Sequence, residues 1–249
     1  LPQINFYSEL ILLFGTCLNS FQSVISLSQQ LEYFVEYKER LKLAKGESIA
    51  NKIIAEALYI FSIGTNDFIL NYLVLPLRPA QYTAPEYVAY LIVLADAAVR
   101  DAYDLGARKI EFTGLAPFGC VPAVRTLNHN EPGECSQEYN KFARRFNAEL
   151  QEAVRKLNGE LAGVQVVYAE TYSVGSAIIA NPSGYGFENV VQGCCGTGLI
   201  DLSVLCGVDE PLTCQDAEKY MFFDSVHPSE RTYRIVADNV LNNALQVFL

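Results

Sequence analysis

Long apolar runs are missing from this 249-residue chain: a stretch such as Tyr87 to Ala95 is far short of the ~20 residues that a bilayer span requires. No transmembrane segment is expected. Basic residues are also scarce, with 18 Lys and Arg against 28 Asp and Glu and a net charge of −10. Such a surface repels phosphate backbones and anionic lipid, so nucleic acid is not an expected partner. No Pro/Gly/Ser-rich linker, charge run, repeat or low-complexity segment divides the sequence, which reads as a single domain over 1–249 with residues 1–20 atypical. The N-terminus has no basic start, long apolar region and small-residue cleavage site, so any signal peptide has been removed or was not included. There is no N-x-[ST] acceptor with a non-proline middle residue, and G-x-S-x-G occurs nowhere. What the chain does have is 51% hydrophobic and 18% charged residues, enough apolar material for a core and too much for disorder.

The seven cysteines are unevenly spread. Cys194, Cys195, Cys206 and Cys214 fall in one loop-like stretch, and Cys120 and Cys135 flank another. Adjacent cysteines without a nearby histidine do not match a zinc knuckle, so disulfides are the favoured reading. Neighbouring cysteines point in different directions and can serve separate bridges. The expected pairs are Cys120 with Cys135, and Cys194 and Cys195 each with one of Cys206 and Cys214, leaving Cys17 unpaired.

Apolar residues at helical spacing predict a helix from Ser23 to Ala44, stopped by Gly46. Another helix from Ser48 leads into a buried strand, Ala57 to Ile63, and the turn Gly64 to Asp67. Thr83 and Glu86 form a capping box with Pro85 in the first turn, opening a long helix that closes near Gly106. Lys109 to Thr113 and Val164 to Tyr168 read as strands, and Ser136 to Leu157 as an amphipathic helix. A short helix near Thr171 to Ala180 and a closing helix after Asp224 complete the pattern. Strands alternating with helices predict a parallel sheet covered on both faces, with ligands at the carboxyl ends of its strands.

Two constellations could carry chemistry. Asp224 and His227 are three residues apart, so the carboxylate can bend back, hold one imidazole nitrogen protonated and aim the other at a nucleophile. The same residues also suit a helix start, with Asp224 as cap, Pro228 in the first turn and His227 on the surface. In Ile63 to Phe68, Asn66 follows a strand and a glycine turn, where its amide can donate to an oxygen that becomes negative during acyl transfer. Asn66 or Asp67 could equally be an N-cap.

Together, "IGTNDF" and "FDSVHPSERTYRIVADNVL" resemble the third and fifth conserved blocks of the plant-type GDSL esterase/lipases, in the SGNH hydrolase superfamily. The likeness extends over "ARKIEFTGLAPFGCVP", "YNKFARRFNAEL", "NPSGYGFENV" and "CCGTG". The resemblance implies a flavodoxin-like three-layer α/β/α sandwich with a parallel sheet, here possibly lacking its first strand. It implies Asp224 and His227 as acid and base of a triad, and Asn66 as an oxyanion donor. It further implies hydrolysis of small-molecule or lipid carboxylic esters without a metal or organic cofactor, in a secreted protein. Oligomeric state is not legible.

The resemblance also predicts a defect. Family members open with a strand leading into Gly-Asp-Ser, whose serine attacks the ester, and that block is absent. The stretch from Tyr7 to Ser20 looks replaced. A competing alignment reads "LILLFGTCLNS" as a degenerate first block with Cys17 at the serine position, where a thiol could attack if a base lowered its pKa. Weak or absent activity is therefore expected. A non-catalytic binding protein that reuses the ester cleft, or a truncated gene product, are the alternatives. Asp224 and His227 are expected to face the Asn66 turn, and the run Leu73 to Leu77 either lines an acyl groove or packs in the core.

Overall fold

The Ser26 hydroxyl accepts the Gln29 N–H at 3.2 Å and opens α1, Leu27–Lys45. The computed structural model describes residues 25–74, 78–128, 133–201, 206 and 212–248. Cys17, the stretch from Tyr7 to Ser20 and the segment Leu75 to Leu77 lie outside the described residues, so the thiol and acyl-groove readings are not addressed there. After α1 come α2, Glu47–Glu56, and β1, Leu58–Phe61. A π-helix, Asp67–Val74, follows the Gly64 turn. Helix α3, Ala84–Asp104, starts at the anticipated capping box, where the Thr83 N–H and hydroxyl reach Glu86 Oε2 at 2.8 and 2.7 Å. Next are β2, Lys109–Thr113, the short α4, Pro122–Thr126, and α5, Gln137–Glu160. The chain continues through β3, Gln165–Ala169, α6, Tyr172–Ala180, β4, Asn189–Gly193, β5, Tyr220–Phe222, and α7, Glu230–Asn243. The fold is mixed α/β on a parallel sheet, as expected. No helix among the described residues is long and apolar enough to cross a membrane.

Two compact units are distinguishable. The first contains the described residues up to Gly114 together with Arg145–Ala169. Its sheet has the order β1-β2-β3, all parallel, with Tyr59, Ile110 and Val166 in one row and Phe61, Phe112 and Tyr168 in another. The central strand β2 is buried at Ile110, Glu111 and Phe112, the continuous burial expected of a parallel strand covered on both faces. Phe61 stacks on Phe112 with ring centroids 5.7 Å apart, and Phe68 meets Tyr87 and Phe146 edge-on at 5.6 and 6.1 Å. Each such buried ring contributes roughly 1.5–3 kcal/mol. The apolar stripe of α3, Tyr87, Leu91, Ala95, Ala98 and Ala102, joins this core.

The second unit comprises Leu115–Arg144 and Glu170–Gln246. It holds a two-stranded parallel pair, β4-β5, with Asn189 opposite Tyr220 and Gly193 opposite Phe222. Three disulfides join Cys120 to Cys135, Cys194 to Cys214 and Cys195 to Cys206; the first was expected as such, and the other two settle which partner each of the adjacent cysteines takes, which the sequence left open. Arg125 is buried within this unit, its guanidinium donating to the carbonyls of Cys120, Gly133 and Val190 at 2.6, 2.8 and 3.2 Å. Burial pushes its pKa down, and the nearby Glu134 opposes that.

Candidate functional site

Strand β5 ends at Phe222 and the chain turns tightly before α7. Phe223 N–H donates to the His227 carbonyl at 2.8 Å, and Ser229 N–H returns to the Met221 carbonyl at 2.9 Å. Ser229, not Asp224, caps α7 by accepting the Thr232 N–H. Asp224 is thereby released from the capping role its sequence position also allowed. Its carboxylate is 1% exposed and folds into the turn: Oδ1 accepts the N–H groups of Val226 and His227 at 2.8 and 2.6 Å. Oδ2 lies 2.8 Å from His227 Nδ1.

The electrostatics of this turn follow from those contacts. Burial alone would raise the Asp224 pKa, but hydrogen bonds from the His227 ring and from the two N–H groups outweigh it and hold the carboxyl below its usual range. An ionised carboxylate at Nδ1 fixes the proton on that nitrogen and makes Nε2 the basic one. The His227 side chain is 47% exposed, so the ring combines a buried anchor with an accessible edge. A base oriented in this way can take a proton from an attacking hydroxyl and return it to a leaving group. Ser225 lies beside the pair in sequence, yet it is fully buried, so its hydroxyl is not placed to attack a substrate.

Several residues to which the sequence reading gave no role at this site hold the turn. Cys194 and Cys195 N–H groups donate to the Phe222 and Phe223 carbonyls at 3.1 and 2.8 Å, so the two disulfides of this loop anchor the strand that delivers Asp224. Ser225 N–H donates to the Asp201 carbonyl, and the Ser225 carbonyl accepts from Ala123 N–H. Asp201 itself caps the Gly196–Gly198 turn by accepting the Thr197 N–H at 2.7 Å. The paired cysteines and glycines of "CCGTG" were the available signal, and they mark a scaffold for the Asp224 turn.

Asn66 belongs to the first unit. Gly64 adopts φ 112°, a left-handed conformation that favours glycine, and its carbonyl accepts the Phe68 N–H at 3.1 Å. Thr65 and Asn66 thus begin a helical segment that widens into the π-helix, with Asn66 half-buried and Asp67 buried. Asp224 and His227 are brought together as the spacing anticipated, and Asn66 sits on the strand-to-helix turn where it was expected.

The sequence profile of the GDSL-like Lipase/Acylhydrolase family matches residues 13–240. Among similar Arabidopsis thaliana proteins, GDSL esterase/lipase At4g26790 is 47% identical over 91% of this chain and 64% of its own length. GDSL esterase/lipase At2g42990 is 44% identical over 90% of this chain and 64% of itself. GDSL esterase/lipase At2g04570 is 41% identical over 91% and 65%. The chain therefore spans slightly less than two thirds of the length of these relatives.

Proposed function

The chain belongs to the GDSL-like Lipase/Acylhydrolase family, and we propose that its 249 residues carry the acid–base and oxyanion groups of a carboxylic-ester hydrolase. The observation that supports this reading best is the 2.8 Å bond between the buried Asp224 carboxylate and His227 Nδ1. His227 Nε2 is the general base: it removes the proton of an attacking hydroxyl and then protonates the departing alcohol. Asp224 keeps the ring in the required tautomer and stabilises the imidazolium formed between those steps. Asn66 donates its amide N–H to the oxyanion of the tetrahedral intermediate, a contact of the kind worth roughly 3–4 kcal/mol. Substrates are small-molecule or lipid esters. Three disulfides suit an oxidising compartment, in keeping with a secreted protein.

No Gly-Asp-Ser turn stands anywhere in these residues. Without a nucleophile, a base and an oxyanion donor cannot form an acyl-enzyme, so the chain by itself hydrolyses esters weakly or not at all. The roles assigned to Asp224, His227 and Asn66 are tested by restoring the missing part. A family-type amino-terminal segment bearing Gly-Asp-Ser is fused ahead of this chain and aryl butyrate hydrolysis is measured. Activity should appear, fall at least ~1,000-fold in His227→Ala and fall ~100-fold or more in Asn66→Ala. Hydrolysis that survives His227→Ala undiminished would refute the assignment.

A further inference from the structure

Asp67 and Asn71 are four residues apart on the π-helix that follows Asn66, and they are 1% and 2% exposed. The Asn71 amide meets both the Asp67 carboxyl and the Tyr87 phenol. Tyr87, on α3, in turn donates its hydroxyl to the Asp67 carbonyl at 3.4 Å. Phe68 lies edge-on to Tyr87 and Phe146, keeping this corner of the first unit apolar. Within that network, two buried oxygens have no hydrogen-bond partner: Asp67 Oδ1 and Asn71 Oδ1. If Asp67 is ionised, both are acceptors facing a missing donor, and leaving a buried acceptor unmet is unfavourable.

One proton resolves both. A carboxylic acid and a primary amide can form a two-point pair, with the acid O–H donating to the amide oxygen and the amide N–H donating to the acid carbonyl. In such a pair a proton on Asp67 Oδ1 would be donated to Asn71 Oδ1, and the Asn71 amide N–H would be donated back to the carboxyl. We propose that Asp67 is a positioning residue: its protonated carboxyl closes a two-point pair with Asn71 and so fixes the helical turn that presents Asn66. The inference rests on Asn66 being the oxyanion donor. π-Helical turns interrupt regular helices at functional sites and need local stabilisation, which this pair supplies. The surroundings favour the neutral acid. Burial pushes the Asp67 pKa up to about 8, against smaller opposing effects of Asn71, the backbone and the Arg78 charge. Arg78, from the segment after the π-helix, and Tyr87, from α3, are the ionisable groups that act on Asp67 among the described residues.

The test compares the 249-residue chain with Asp67→Asn, which can form an amide–amide two-point pair of the same shape. Infrared difference spectra at pH 6 should show a protonated-carboxyl carbonyl band that disappears in Asp67→Asn. The difference isolates Asp67 from Glu111, another buried carboxyl. The Asn66 side-chain amide resonance should shift with a midpoint near pH 8 in the unsubstituted chain, where Asp67 loses its proton. In Asp67→Asn it should stay at its low-pH position throughout. Absence of the infrared band would overturn the acid–amide pair, and a band with an immobile Asn66 resonance would overturn the positioning role. Failure of the underlying reading looks different: Asn66→Ala would leave hydrolysis by the serine-bearing fusion unchanged while band and resonance behave as described.

Discussion

Gly193 stands against the backbone of Asp224: a Cβ at that position would lie 2.5 Å from both the carbonyl carbon and the carbonyl oxygen of Asp224. Backbone cannot move aside as a side-chain tip can, so Gly193→Ala must displace the turn that aims His227. The expected cost is roughly 1–3 kcal/mol of stability. The His227 Nδ1–H resonance, which reports the bond to Asp224, should broaden or be lost in Gly193→Ala.

Arg125→Lys should destabilise the protein by about 2–4 kcal/mol in urea denaturation. The guanidinium satisfies carbonyls of Cys120, Gly133 and Val190 from one planar group, and a single ammonium cannot span all three directions. Arg125→Lys unfolding at the same urea concentration as the parent chain would contradict this assignment.

Glu111 makes stability fall as pH rises. Burial on β2 pushes its pKa up to about 7, opposed by the hydrogen bond from Thr113. The unfolded chain releases this proton near pH 4.3, whereas the folded chain holds it until about 7. Between those values the native state binds the extra proton, so the stabilisation is complete at the acidic end and lost as pH reaches 7. The loss is on the order of 3 kcal/mol. Glu111→Gln should remove this component of the slope and be the more stable form above pH 7. Parallel stability–pH curves for the two proteins would rule the effect out.

Thiol counting checks the cross-links. Unfolded, unreduced protein should show one free thiol, from Cys17, because six of the seven cysteines are bridged. Five or more would mean that at least two of the three bridges are absent. Reduction should destabilise the Asp224 turn in particular, since the loops closed by Cys194–Cys214 and Cys195–Cys206 span 20 and 11 residues. A loop of that size contributes about 3 kcal/mol when closed.

Features set by local chemistry were legible in the sequence. Lys109–Thr113 reads as a strand because apolar and β-branched residues lie between Gly106 and Gly114, and α3 announces itself through Thr83, Pro85 and Glu86. The Asp224–His227 contact was legible for the same reason, since three residues of separation suffice to close it. Features set by distant partners were not legible. Strand β4, Asn189–Gly193, is only partly buried and lacks alternation, so only its pairing with β5 reveals it. The three carbonyls around Arg125 come from separate segments of the chain, and nothing in a strand pattern distinguishes a buried Glu111 from a solvated one. The π-helix reads as apolar sequence, and its Asp67–Asn71 pair becomes notable only once both side chains are seen to be buried.

The measurement that bears most directly on the account is the rate at which purified, unfused chain hydrolyses a simple aryl butyrate, read beside Cys17→Ala and His227→Ala. An oriented His227 with no activated serine should give a rate near background in all three, together with no labelling by a serine-reactive phosphonate. Robust turnover abolished by Cys17→Ala would contradict it, because it would place a working nucleophile within these residues.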